Sequence, residues 1–142
     1  MWANQHLFLL GDDKKPSAVA GVPPDAFSDD GQLWGNPLFD WNAHAATDYA
    51  WWAQRLRRTL ALHDEVRIDH FRAFAAYWEV EAGAPTAKSG RWMVGPGVDM
   101  FKKLKSTLGD AKIVAEDLGV ITADVVELRE ACGFPGMVVV QF

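Results

Sequence analysis

The chain has 142 residues, 49% hydrophobic and 23% charged, with a net charge of −5. That composition belongs to a folded chain and not a disordered one, and its acidic balance offers no basic stripe to a nucleic-acid backbone. Cys132 is the sole cysteine, which leaves no disulfide within the chain and fits a reducing cytoplasm.

MWANQHLFLLGDDKK at the start lacks the basic and small-residue marks of a signal peptide. No apolar run approaches the roughly 20 residues that span a bilayer. Residues 11–48 are rich in Gly, Pro, Asp and Asn and read as one long loop, of the kind that tends to carry function. Phe27, Leu33, Trp34, Leu38, Phe39 and Trp41 are too many apolar side chains for a solvated linker, so this loop is expected to pack against something. A helix over about 48–63 follows, capped by Thr47 or Asp48, with Trp52, Leu56 and Leu60 on one stripe and Arg55, Arg57 and Arg58 largely off it. EVRID (65–69) reads as a short strand. FRAFAAYWEV (71–80) fits a short helix or an irregular segment, and 82–97 reads as a second Gly/Pro loop. A helix over about 98–108 turns Phe101, Leu104 and Leu108 inward, and Gly109 is expected to close it in the left-handed conformation. KIVAED (112–117) is a strand. Thr122 is placed to cap a helix over about 123–132, with Val125, Leu128 and Cys132 inward and Gly133 as its stop. GMVVVQF, apolar almost throughout, reads as a third strand.

Strands alternating with helices favour parallel pairing through right-handed crossovers, and apolar strands suit a sheet covered on both faces. A doubly wound sheet and a (β/α)8 barrel both fit. A complete barrel needs about 250 residues. With three strands visible and VVVQF stopping inside one of them, the chain reads as the middle of a larger domain.

Asp69 and Glu116 fall at the C-terminal ends of their strands, the edge where α/β folds gather catalytic groups. Arg67, two residues before Asp69 and on the same side of an extended chain, favours the ionised carboxylate. Glu116 has no adjacent cation in sequence, and a partly apolar setting would keep its proton. One charged and one protonated carboxyl is the division that glycoside chemistry uses. An Arg-x-Asp pair on a strand also occurs as a plain ion pair. Asp69, His70, Glu116 and Asp117 are potential metal ligands, but no H-x-x-x-H or H-x-H spacing is present, and His70 on a strand would point away from Asp69. No metal or organic cofactor is expected. His6, His44 and His63 read as ordinary surface or core histidines.

GVPPDAFSDDGQLWGNPLFDW (21–41), VRIDHFRAF (66–74), GRWMVGPG (90–97), IVAEDLGVITADV (113–125) and GFPGM (133–137) occur in this order. Together they closely resemble the 4-α-glucanotransferases, the amylomaltases or disproportionating enzymes of glycoside hydrolase family 77. The resemblance covers essentially the whole chain. It implies an α-amylase-like (β/α)8 barrel, of which residues 1–142 are a central part truncated at both ends, with EVRID, KIVAED and MVVVQF as strands four to six after a long active-site loop. It implies Asp69 as nucleophile, Glu116 as general acid/base, Arg67 as the residue that orients Asp69, and His70 as a sugar contact. Asp25, Trp34 and Asn36 match a loop that folds over the cleft, where Trp34 gives a glucose ring an apolar face. Trp2, Trp41, Trp51, Trp52, Trp78 and Trp92 are read as packing. A third carboxylate of the family lies beyond Phe142. The implied activity is transfer of α-1,4-glucan segments between malto-oligosaccharides, or starch- and glycogen-derived glucans, by a retaining double displacement in the cytoplasm, bacterial before plastid. The alternatives are a glucan hydrolase of the α-amylase superfamily, a non-catalytic glucan-binding module built on the Trp-rich loop, and a metal-dependent barrel lyase or hydrolase.

Overall fold

The structure is a computed structural model that describes residues 2–141, with Trp2 described by its backbone alone. Among these residues the strands are β1 (Ala18–Val22), β2 (Gln32–Pro37), β3 (Val66–Ile68), β4 (Ala76–Glu81), β5 (Arg91–Val94) and β6 (Ile113–Ala115). The α-helices are α1 (Trp41–Ala45), α2 (Ala50–Leu60), α3 (Gly97–Leu108) and α4 (Ala123–Cys132). They divide into two compact units: one runs up to His44 and includes Ala76–Val94, and the other takes Ala45–Ala75 and the residues from Gly95 onward.

The first unit is an antiparallel sheet in the order β2-β1-β4-β5. Val19 pairs with Val80, and Ala87 closes over both as a small apolar core. Trp78 packs beside it, edge-on to Trp92, and its indole N–H donates to the Ala87 carbonyl at 2.8 Å. Gly21 lies between Trp78 and Leu33 in the ladder; a Cβ there would come within 2.6 Å of the Gln32 carbonyl oxygen, so the close pairing requires glycine. His44, at the end of α1, is fully buried against Phe39 and Trp41.

This sheet corrects the expectation of two long loops. Residues 11–48 contain β1, β2 and α1, and residues 82–97 contain β5. The expected packing of the first loop holds for Leu38 and Phe39 but not for Phe27, Leu33 and Trp34, which are exposed. The reason is positional: β2 is an edge strand held by backbone pairing to β1, and five of its six residues are exposed.

In the second unit, β3 and β6 pair in parallel, with Val66 beside Ile113, Arg67 beside Val114 and Ile68 beside Ala115. Three helices bring apolar stripes to this unit's core: Trp52 and Leu56 from α2, Met100, Phe101 and Leu104 from α3, and Val125 and Leu128 from α4. Phe71, Phe74, Phe101 and Phe134 meet as an aromatic cluster with centroid separations of 5.1–6.0 Å. Burying each such ring stabilises the fold by about 1.5–3 kcal/mol.

Three local expectations change. Neither Thr47 nor Asp48 caps α2: Tyr49 precedes it in the left-handed conformation, and Asp48 instead pairs with Lys103 at 2.8 Å. Thr122 stands at the cap position of α4, but its side chain makes no capping bond. Gly109 has a positive φ of 73° with ψ at −147°, which is open to glycine but is not the left-handed helical cap; Gly133, at φ 69° and ψ 27°, is one. The expected third strand is also absent, since residues 137–141 form no ladder. The Ala115 N–H reaches the Pro135 carbonyl at 2.9 Å. Pro135 has no N–H to return, and the Met137 N–H goes to the Asp117 carboxylate at 2.8 Å. The Asp117 side chain thus takes the place of a ladder partner, and Val138–Val140 are left exposed.

Candidate active site

β3 and β6 are short, and each ends in a carboxylate. Ile68 and Ala115 are the last paired residues, so Asp69 and Glu116 each follow the C-terminal end of one of two neighbouring parallel strands. Ile68 and Ala115 point into the core and anchor the strand ends; Arg67 and Asp69 are exposed. Arg67 Nη1 contacts Asp69 Oδ1 at 2.6 Å. The sequence spacing therefore does bring guanidinium and carboxylate together.

Glu116 is fixed by the backbone. Its N–H donates to the Ile68 carbonyl at 2.9 Å, and its carbonyl accepts the Phe71 N–H at 3.0 Å. Its Oε2 accepts the His70 N–H at 2.7 Å and its Oε1 the Leu118 N–H at 3.0 Å. Each oxygen retains a second lone pair on which a proton can be carried.

His70 does not continue the strand. It sits in the left-handed region, with φ 49° and ψ 51°, and opens a short 3-10 turn, Phe71–Phe74. Fully buried Phe71 pulls the chain inward at this point, and that turn aims the His70 N–H at Glu116. Burial pushes the His70 imidazole below its ordinary pKa; Arg72 adds to this, while Glu116 and Asp69 oppose it.

Asp117, a candidate ligand by residue type, is turned elsewhere. It pairs with Arg129 Nε at 3.0 Å and holds the Met137 N–H. Among the described residues, no group of three His, Cys, Asp or Glu side chains is arranged to hold a metal ion. A cavity of about 410 Å³, lined by Phe101, Leu104, Lys112, Cys132 and Phe134, takes in Glu65 and Lys112, which precede β3 and β6. It lies at the opposite strand ends from the two carboxylates.

Asp25, Trp34 and Asn36 belong to the first unit, whereas Arg67, Asp69, His70 and Glu116 belong to the second. Asp25 Oδ1 accepts the N–H groups of Phe27 and Ser28 at 2.8 and 2.9 Å, which closes a tight turn. Trp34 and Asn36 are exposed on β2, and the Trp34 indole N–H donates to Gln32 Oε1 at 3.1 Å. Sequence reasoning missed Phe71 and Arg72. The only signal for them was the run HFRAF itself, whose mixed aromatic and basic residues fit no single element.

The model of the 4-alpha-glucanotransferase family, glycoside hydrolase family 77, matches residues 1–142. The chain belongs to this family. A 4-alpha-glucanotransferase of Streptococcus pneumoniae serotype 4 is 53% identical over 142 residues, covering 100% of this chain and 28% of that protein. The chloroplastic/amyloplastic 4-alpha-glucanotransferase DPE1 of Arabidopsis thaliana is 55% identical over 142 residues, again all of this chain but 25% of that protein. Among solved structures, the amylomaltase from Streptococcus agalactiae in complex with acarbose superposes with a TM-score of 0.91 at 46% identity, covering 95% of this chain and 27% of that one. The chain thus spans about a quarter of the length of the glucanotransferases it matches. Its mixed α/β fold is that of the matching part of an amylomaltase. No helix among the described residues is long and apolar enough to cross a membrane.

Proposed function

We propose that this chain supplies the nucleophile and the acid/base of an enzyme that transfers α-1,4-glucan segments by a retaining double displacement. One observation carries the reading: Asp69 and Glu116 follow adjacent parallel strand ends in register, with Arg67 on Asp69 at 2.6 Å. Asp69 attacks C1 of the donor sugar. The bond from C1 to the bridging oxygen breaks, and Glu116 gives its proton to the departing 4-oxygen. An acceptor glucan then binds, and Glu116 takes the proton from its 4-hydroxyl. That oxygen attacks C1 and releases Asp69. Two inversions retain the α configuration. Arg67 aims Asp69 through their 2.6 Å contact, and the half-buried His70 imidazole offers a hydrogen bond to the sugar bound there.

On this reading β3 and β6 are the fourth and fifth strands of a (β/α)8 barrel, and residues 1–142 are the central part of one catalytic domain. Asp25 in its tight turn and Trp34 and Asn36 on β2 are further glucan contacts, with the exposed Trp34 face against a glucose ring. Exclusion of water from the covalent intermediate favours transfer over hydrolysis. A third carboxylate comes from outside residues 1–142. Substrates are malto-oligosaccharides and longer α-1,4-glucans; the acarbose held by the Streptococcus agalactiae amylomaltase supports that class. The setting is the cytoplasm, or the plastid where relatives are chloroplastic.

The products of maltotriose test the reading. The full-length protein should give a ladder of longer malto-oligosaccharides together with glucose, and Asp69→Asn should abolish it. Glucose and maltose without longer chains would make the protein a hydrolase and overturn the transfer reading. A wild type that leaves maltotriose unchanged while retaining glucan would make it a binding module.

A further inference from the structure

Arg72 sits in the 3-10 turn that follows the nucleophile strand, between buried Phe71 and Phe74. Those two rings fix the turn from inside, and the Arg72 side chain between them is half-buried. Its Nη1 donates to the Val120 carbonyl, 48 residues away, at 3.0 Å. Val120 belongs to the loop that leaves β6, residues 117–122, on which Leu118 and Val120 are exposed. Gly119, with a φ of 88°, turns the loop between them.

This loop also carries one of the two N–H donors to the acid/base. The Leu118 N–H holds Glu116 Oε1 while the His70 N–H holds Oε2. The His70 donor is secured by buried Phe71. An exposed Leu118 has no such anchor, so the position of its N–H depends on what restrains the loop beyond it. Asp117 restrains one side through Arg129 and Met137. Arg72 restrains the other.

We propose that Arg72 is a positioning residue for the acid/base step, which it serves by holding the 117–122 loop so that the Leu118 N–H stays on Glu116. The inference rests on the assignment of Glu116 proposed above. It makes a distinction that a general structural role does not. Arg72 lies two residues after His70 in sequence, yet its tie is to the Glu116 loop. Its loss should therefore damage the step in which Glu116 donates a proton and spare attack by Asp69.

Two donors separate these steps in the full-length protein. With maltotriose, breaking the bond from C1 to oxygen needs the Glu116 proton. With α-maltotriosyl fluoride, the C1–F bond breaks and fluoride leaves without one. Arg72→Met should lower kcat for maltotriose roughly 10- to 100-fold. KM should change less than threefold, and fluoride release during the first turnover should match the wild type. Arg72→Lys, which keeps a donor, should recover part of the maltotriose rate. Thermal unfolding of both variants identifies any that do not fold. Equal losses on both donors would show that Arg72 supports the site as a whole, and wild-type rates on both would show that the tie is dispensable; either result overturns the inference and leaves the assignment of Glu116 standing. A wild type that transfers from neither donor overturns that assignment and this inference with it.

Discussion

The Glu116 carboxylate accepts the backbone N–H of His70, the residue directly after Asp69, at 2.7 Å. The candidate acid/base is thereby tied to the strand of the candidate nucleophile through the main chain, a bond whose donor a substitution such as His70→Ala leaves in place. The αL conformation of His70 makes the bond possible, and the buried Phe71 ring maintains it. Phe71→Ala should cost about 3–5 kcal/mol of stability by leaving a cavity in the aromatic cluster. It should also lower activity in whatever fraction remains folded, which urea denaturation and assays at equal folded concentration would separate. A Phe71→Ala protein with wild-type activity per folded molecule would show that the anchor does not position the site.

Arg67 and Asp69 make a different prediction. Both side chains are substantially exposed, so their ion pair adds no more than about 1 kcal/mol to stability. On the proposed mechanism its value is in aiming the Asp69 carboxylate. Arg67→Met should lower kcat about a hundredfold or more while the thermal midpoint shifts by no more than a few degrees. Parallel activity and melting measurements check this. A large loss of stability with unchanged kcat would make the pair structural only.

Asp117 and Arg129 reverse that balance. Their pair is mostly buried, and Asp117 also stands in for the missing ladder partner of Met137. Removing Asp117 leaves Arg129 only the Phe134 carbonyl and a longer, exposed contact to Glu130 at 3.8 Å, at a cost of about 3 kcal/mol. Asp117→Ala should therefore lower the denaturation midpoint clearly more than Arg67→Met does. Equal midpoints for the two variants would contradict this reading of the 117–137 contact.

His44 gives the chain a dependence on acid. Burial pushes its imidazole below the ordinary value of 6.5, against the raising effects of a backbone hydrogen bond with Leu7 and of nearby Asp40. The unfolded chain therefore takes up this proton at a higher pH than the folded one does. The contribution to stability is complete above about pH 6.5 and is lost as pH falls toward the depressed folded value. His70, shifted in the same direction, adds to the trend. His44→Gln should flatten the decline of the thermal midpoint between pH 7.5 and 5. An unchanged slope would exclude His44 as a source of it.

How much of this was legible in the sequence follows from the range of the interactions. Helical stripes are local: Trp52 and Leu56, Phe101 and Leu104, and Val125 and Leu128 all pack as their spacing implied. β3 and β6 were legible as apolar residues that end in a carboxylate. The four-stranded sheet was not, because its pairing is long-range and its edge strand buries almost nothing; Gly21 and Pro37 disguise it further. The apolar run 137–140 misled in the opposite direction, since apolar residues form a strand only where a backbone partner is available. The Arg67–Asp69 contact could be inferred from a two-residue spacing. The bonds of Glu116 to His70 and of Arg72 to Val120 span 46 and 48 residues and rest on one left-handed residue that nothing in HFRAF announces.

The central claim is that Asp69 forms the covalent bond to the sugar. Full-length Glu116→Gln protein, mixed with α-maltotriosyl fluoride and quenched in acid, should hold the glycosyl-enzyme, because fluoride leaves unaided while the acceptor step lacks its base. Peptide mass spectrometry should then find one maltotriosyl unit on the peptide that contains Asp69, with fragmentation placing it on that carboxylate and Asp69→Asn removing it. An adduct on any other residue, or fluoride released with inverted product and no adduct, would contradict the account.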